Sequence, residues 1–229
     1  MEKDYLELYS LVTESLSHCD FTEASNRLGI KDFSKDEVFL EFLGREYSIK
    51  KSAIDLVKEN IIWETPNEQY EYNLKNVLGE YILSKGNTEP KNDFRPIDVY
   101  FLTNYFSEHT VLNSFLRKII FLKSPLDETY ASKNHPVKFR KCMSMLGYTC
   151  IEEKSANGIQ SVWSGSILPK IPIRILYDHE ETGHDYPVTK SKLLFDKTLG
   201  DYYQLDSFRV LYICYLEALN KIWGKYIEG

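Results

Sequence analysis

The hydrophobic period of this chain changes in blocks, and the order of the blocks limits the fold more than any single motif. Residues 3–17 place Tyr5, Leu8, Tyr9, Val12 and Leu16 on one helical face. A short helix fits residues 22–29, with Thr22 as N-cap and Gly29 just past its end. The period then falls to two. Val38, Leu40 and Phe42 share one side of a strand, Gly44-Arg45 marks a turn, and Tyr47 and Ile49 continue on a return strand. Helical spacing resumes at residue 65. Thr65 reads as the N-cap, Pro66 as the first helical residue and Glu68 as the closing residue of a capping box. Tyr70, Leu74, Val77, Leu78, Tyr81 and Ile82 form the buried stripe of that helix, and Gly86 ends it.

Residues 87–93 are the one linker-like stretch. Further helices fit 96–106, 109–122 and 135–146, the last opened by Asn134 and stopped by Gly147. From 148 the pattern is β again. Asn157-Gly158 lies between two strand-like runs, a strong hairpin signal. "IPIRILYD" then puts Ile171, Ile173, Ile175 and Tyr177 on one face and Arg174 on the other, and "KSKLLFD" follows. A helix from about 207 to 226 is apolar on more than one face, as a largely buried helix would be. Strands therefore gather at about 37–50 and about 148–195, and helices stand apart from them. That is an α+β chain: a mostly antiparallel sheet with helices packed against it and a long C-terminal helix. One domain over 1–229 is expected.

The 229 residues are 43% hydrophobic and 14% aromatic, enough for a sizeable core. Seventeen tyrosines can bury their rings while keeping the hydroxyl wet. The formal charge of −6 argues against nucleic acid as a partner, since non-specific binding needs a basic footprint. The densest basic run, "VKFRK" (137–141), reads as a solvated helix face. Cys19, Cys142, Cys150 and Cys214 show no C-x-x-C spacing, so neither a zinc ribbon nor an iron–sulfur cluster is indicated. The segment "MEKDYLELYSLV" has no long apolar core, and no apolar run approaches the ~20 residues that span a bilayer. A cytoplasmic, reducing setting without a membrane partner is the expectation.

Several segments together resemble a known family. They are "FLGREYSI" (42–49), "NVLGEYILSKGN" (76–87), "RPIDVYFL" (95–102), "LPKIPIRILYD" (168–178), "DYP" (185–187) and "FDKTLGDYYQLDSFRVL" (195–211). In this order they resemble the uncharacterised prokaryotic family catalogued as domain of unknown function 3786. Leu168, Pro169 and Pro172 match its L-P-x-x-P step. Asp185, Tyr186 and Pro187 match the end of its acidic loop. Phe195, Asp196, Tyr202 and Asp206 match its last motif. The resemblance implies a soluble protein of anaerobic, corrinoid or one-carbon metabolism, with no established reaction. Some relatives carry a four-cysteine iron–sulfur segment, which this chain lacks. His179 and His184 in the acidic loop are its other departure.

Those histidines fall in "DHEETGHD" (178–185), close to the zinc signature H-E-x-x-H. They are five apart, and on a helix they would diverge by about 140°. A strand precedes them and Thr182-Gly183 marks a turn. A solvated acidic turn is the favoured reading. As a loop, however, His179, Glu180, His184 and Asp185 could supply imidazole and carboxylate ligands to a metal. Asp206 or Ser207 is placed to cap the last helix, and Asp196 to form a turn at a strand end. In a functional reading, Asp196, Tyr202 and Asp206 would line a cleft with Tyr186. Trp163 and Cys214 read as core, while Cys142 falls on a helix beside Arg140 and Lys141, which would lower its thiol pKa where burial would raise it. No phosphate loop, dinucleotide fingerprint or nucleophile elbow occurs.

Three functions stand against one another. The first is a non-catalytic protein that binds a small-molecule ligand or serves as an accessory, of unknown cofactor. The second is a hydrolase or transferase using carboxylates and a histidine of 178–206. A deep pocket joining those groups would favour it, and separate positions would count against it. The third is a homodimeric interaction protein, as opposed to a monomer.

Overall fold

The computed structural model describes residues 4–97, 126, 134–155, 158–180 and 188–228. Helices α1 (Asp4–Ser17) and α2 (Phe21–Leu28) lead into strands β1 (Glu37–Phe42), β2 (Arg45–Lys50) and β3 (Ile54–Glu59). Helix α3 (Glu68–Leu83) and the short strand β4 (Phe94–Pro96) follow. Then come α4 (His135–Met145), β5 (Thr149–Ser155), β6 (Gly158–Leu168), β7 (Ile171–Glu180), β8 (Val188–Asp196) and α5 (Leu205–Trp223). The fold is α+β, as expected, but its antiparallel strands form two sheets. One runs β1-β2-β3 and the other β4-β8-β7-β6-β5. The helices expected over 96–106 and 109–122 lie outside the described residues, apart from Pro96, which ends β4, and Ile97.

Local chemistry accounts for the first sheet. Phe42 pairs with Arg45, which leaves the two-residue turn Leu43-Gly44. Both have positive φ, 48° and 78°, the conformation that matches the twist of a tight hairpin. Val38, Leu40, Phe42, Tyr47 and Ile49 are buried, the face that their alternation indicates. Strand β3 was not visible as a strand in the sequence. Only Ile54 of its six residues is buried, so burial imposes no alternation on it.

In the larger sheet, β5 to β8 form a meander in which each strand pairs with its sequence neighbour. Strand β7 alternates strictly: Ile171, Ile173, Ile175, Tyr177 and His179 are buried, and the residues between them are half-buried. Its inner face receives α4 and α5. Phe139 stacks on Tyr177 with ring centroids 3.9 Å apart, and Trp163 meets Phe139 edge-on at 5.9 Å. Phe208 and Tyr212 of α5 pack on Phe195 of β8 at 5.3 and 6.0 Å. The stripe on α3 is buried as expected, from Tyr70 to Ile82.

The helix ends depart from the sequence reading. Helix α2 is capped by Asp20, whose carboxylate accepts the N–H groups of Thr22 and Glu23. Helix α3 starts two residues later than expected, with Asn67 accepting from Tyr70 N. It ends at Leu83, before Gly86. Gln204, not Asp206 or Ser207, precedes α5. Gly29 and Gly147 terminate α2 and α4 with φ of 69° and 76°, as the sequence indicates.

The tyrosines also behave differently from expectation. Several hydroxyls are buried and bonded to the main chain rather than left in water. Tyr70 donates to Cys214 O at 2.8 Å and Tyr203 to Val77 O at 2.8 Å. Tyr81 accepts from Lys170 N at 3.1 Å, and Tyr148 and Tyr215 join hydroxyl to hydroxyl at 2.8 Å. These bonds tie elements that are far apart in sequence.

Gly79 lets α1 approach α3. A Cβ there would lie 2.4 Å from Val12 Cγ1 and 3.1 Å from Ile54 Cδ1. Gly79→Val is expected to destabilise the protein by about 1–3 kcal/mol through overpacking. Urea unfolding checks this, and a variant as stable as the wild type would show that α1 shifts freely.

Candidate functional site

Strand β7 separates two chemically different surfaces. The outward residues of β5, β6, β7 and β8 bound an open cleft of about 640 Å³. Its floor includes Val162 and Leu176, cross-strand partners on β6 and β7. Polar side chains surround them: Glu152 and Lys154 from β5, Gln160 from β6, Asp178 from β7, and Lys190 and Lys192 from β8. These positions alternate with inward ones, so the pleat itself sorts them onto one face. Arg174 lies on the same face as read from sequence, and its guanidinium sits 4.2 Å from the centre of the Phe94 ring.

The inner face holds a histidine pair. His179 is fully buried within β7, so it does not stand on the solvated turn that the sequence suggested. His135, in the first turn of α4, is 1% exposed. Its Nδ1 and the Tyr177 hydroxyl share a hydrogen bond of 2.9 Å. The His135 and His179 rings are parallel within 6°, with centroids 6.3 Å apart. Trp223 of α5 covers His135 at 5.0 Å. Burial pushes His135 down to about 4, and the positive charge that His179 or Lys138 would add pushes the same way. At neutral pH this imidazole is uncharged.

The other expected site residues that are described lie on several elements. Glu180 follows His179 on the strand and faces the opposite side. His184, Asp185 and Tyr186 lie outside the described residues. Among the described residues, no group of three or more His, Cys, Asp or Glu side chains is placed to hold a metal ion. Asp196 is 2% exposed and caps the 3-10 turn Lys197–Asp201. One oxygen accepts Thr198 N at 3.0 Å, Thr198 Oγ1 at 2.8 Å and Lys91 N at 3.3 Å, and the other accepts Asp93 N at 3.2 Å. Tyr202 is buried, donates to Thr88 O, and is pushed up to about 12 by that burial. Together Asp196 and Tyr202 pin the 88–93 segment. Asp206 is exposed on α5, 3.9 Å from Arg209. Burial pushes the Cys142 thiol up to about 12, which outweighs its basic neighbours in sequence.

A family model, "Domain of unknown function (DUF3786)", matches residues 20–218 of the sequence. The chain belongs to the DUF3786 family. No curated protein and no solved structure matches it. The matched span runs from α2 into α5 and takes in the cleft, the Asp196 cap and the His135–Tyr177–His179 cluster. In DUF3786 terms, the F-D motif of this chain is a strand end whose carboxylate organises a turn. Its Tyr202 closes the neighbouring segment.

Sequence reasoning missed the cleft and the histidine pair for one reason. Lys190, Lys192, Val162 and Leu176 lie on three strands, and only the register brings them together. His135 and His179 are 44 positions apart, and the strand had been ended at Asp178.

Asp196→Ala strips acceptors from three main-chain N–H groups and one hydroxyl. A loss of roughly 2–4 kcal/mol is expected in urea unfolding, since the buried Thr198 donors and the part-buried amides of Lys91 and Asp93 would lose their acceptor. His135 gives a second expectation. Its folded value of about 4 lies below the unfolded 6.5, so the unfolded chain binds the proton first. The stabilisation is complete above pH 6.5 and is lost as pH falls towards 4. Unfolding free energies measured across that window should fall in the wild type and fall less steeply in His135→Phe. Equal slopes would remove His135 from the account.

Proposed function

We propose that this DUF3786 chain is a non-catalytic small-molecule-binding or accessory protein, acting as a single cytoplasmic domain, whose ligand rests on the outer face of the five-stranded sheet. The observation that carries this reading is the cleft. Its volume of about 640 Å³ suits a small molecule, for which pockets span roughly 300–1,000 Å³. An apolar floor with a few polar groups around it is the usual make-up of such sites. The anaerobic, corrinoid or one-carbon setting that the resemblance implies belongs to the same proposal. The carboxylate enzyme is less favoured. Asp196 is committed to four hydrogen bonds and Asp206 stands apart on α5.

A thermal-shift screen tests the reading. Metals, corrinoids, nucleotides and folates form the panel. Metals are included because the sequence offers His179, Glu180, His184 and Asp185 as ligands, although His179 and Glu180 face opposite sides of β7. A ligand at about a hundred times its Kd should raise the midpoint by roughly 5–10 °C, because it binds the folded state alone. Leu176→Glu, on the half-exposed outer face, should fold normally by circular dichroism and lose the shift. A flat panel, or a shift unchanged in Leu176→Glu, counts against the cleft.

A further inference from the structure

The register of β5 to β8 sorts the cleft into two cross-strand rows. Glu152, Val162, Leu176 and Lys192 form one, and Lys154, Gln160, Asp178 and Lys190 form the next. Neighbouring strands are about 4.8 Å apart, so each row extends about 14 Å across the sheet. The apolar pair occupies the middle of the first row. It offers a flat patch two side chains wide, where a planar body would displace water.

Charge is spread unevenly around that patch. On the β5 side, Lys154 and Glu152 pair at 2.7 Å and largely cancel. In the second row, Asp178 accepts a hydrogen bond from Gln160 at 3.4 Å. On the β8 side, Lys190 and Lys192 are both exposed, and neither has an ion-pair partner among the described residues. They are two apart on one strand and therefore project on the same side. Among the described lining residues, three lysines against two carboxylates leave one net positive charge, in a chain whose formal charge is −6. The described lining is thus cationic in a chain that is acidic overall, and the excess sits at one end.

Resting on the binding reading of this same cleft, we infer that its ligand is a small molecule with a flat apolar body and one anionic group. The body lies on Val162 and Leu176, and the carboxylate, sulfonate or phosphate lies between Lys190 and Lys192. Ammonium groups act as mobile point charges, so the site selects for the sign and position of the charge rather than for a planar geometry. A cationic ligand of the same shape would meet the lysines and be repelled.

Two dyes with one ring system test this on the full chain. 1-Anilinonaphthalene-8-sulfonate carries a sulfonate, and N-phenyl-1-naphthylamine does not. Fluorescence titration should show saturable binding of the sulfonate dye to the wild type. The double variant Lys190→Gln, Lys192→Gln should bind it roughly tenfold more weakly and bind the neutral dye unchanged. Salt at about 0.5 M should reproduce the loss in the wild type. Leu176→Glu should lose both dyes. Equal binding of the sulfonate dye by the wild type and the double variant would overturn the anion inference and leave the cleft standing. Binding that Leu176→Glu does not change, or no saturable binding of either dye, would overturn the cleft reading as well.

Discussion

Burial of the C-terminal helix holds the described structure together. Helix α5 buries Leu205, Phe208, Leu211, Tyr212, Cys214, Tyr215, Leu216, Ala218, Leu219, Ile222 and Trp223, more than one face of the cylinder. One side receives α3, through the Tyr70 hydroxyl on Cys214 O. Another packs on the larger sheet through Phe195, and the far end covers His135. The helix hydrogen-bonds its own main chain, so burying its middle turns leaves no amide stranded. Its aromatic side chains carry their polar ends to partners already inside, as Tyr215 does with Tyr148. A single continuous apolar cluster follows, from Val12 to Ile227.

Against that background, the two faces of β7 have opposite chemistry for a simple reason. A strand sends successive side chains to opposite sides. The inward set is closed over by α4 and α5, and its one histidine enters as an aromatic ring among rings. The outward set has no such cover among the described residues, and there the polar and apolar groups of four strands mingle. Among the described residues, strands alone line the cleft. Its floor is the sheet, and its rim is set by register.

The sequence made the architecture legible where burial imposes a period. β1, β2 and β7, the stripe on α3 and the apolar α5 were all readable because each has one face, or more, excluded from water. Strand β3 was not, because its residues after Ile54 are largely exposed and follow no pattern. The caps failed differently. Thr65 and Asn67 both carry an oxygen able to accept an amide N–H, and the path of the chain decided between them. His179 was misplaced because a polar residue next to Asp178 and Glu180 resembles a turn. Its ring lies parallel to those of Tyr177 and His135, and no local signal connects His135 to β7. Asp196 was read as a strand-end turn, and there the side chain's short reach made the local reading sound.

Strand β5 carries a further consequence. Its seven residues are all exposed, and it forms one edge of the larger sheet. Such an edge offers free main-chain groups to any other strand. Here the edge is interrupted between Cys150 and Glu152, where the register shifts, and it bears Glu152, Glu153 and Lys154 in succession. Arg140 reaches over from α4 to Glu153. A second copy docking strand to strand would have to match the irregularity and bury those charges. Among the described residues the sheet ends at β5, and its irregularity and charges steer crowded or partly unfolded chains away from joining edge to edge there.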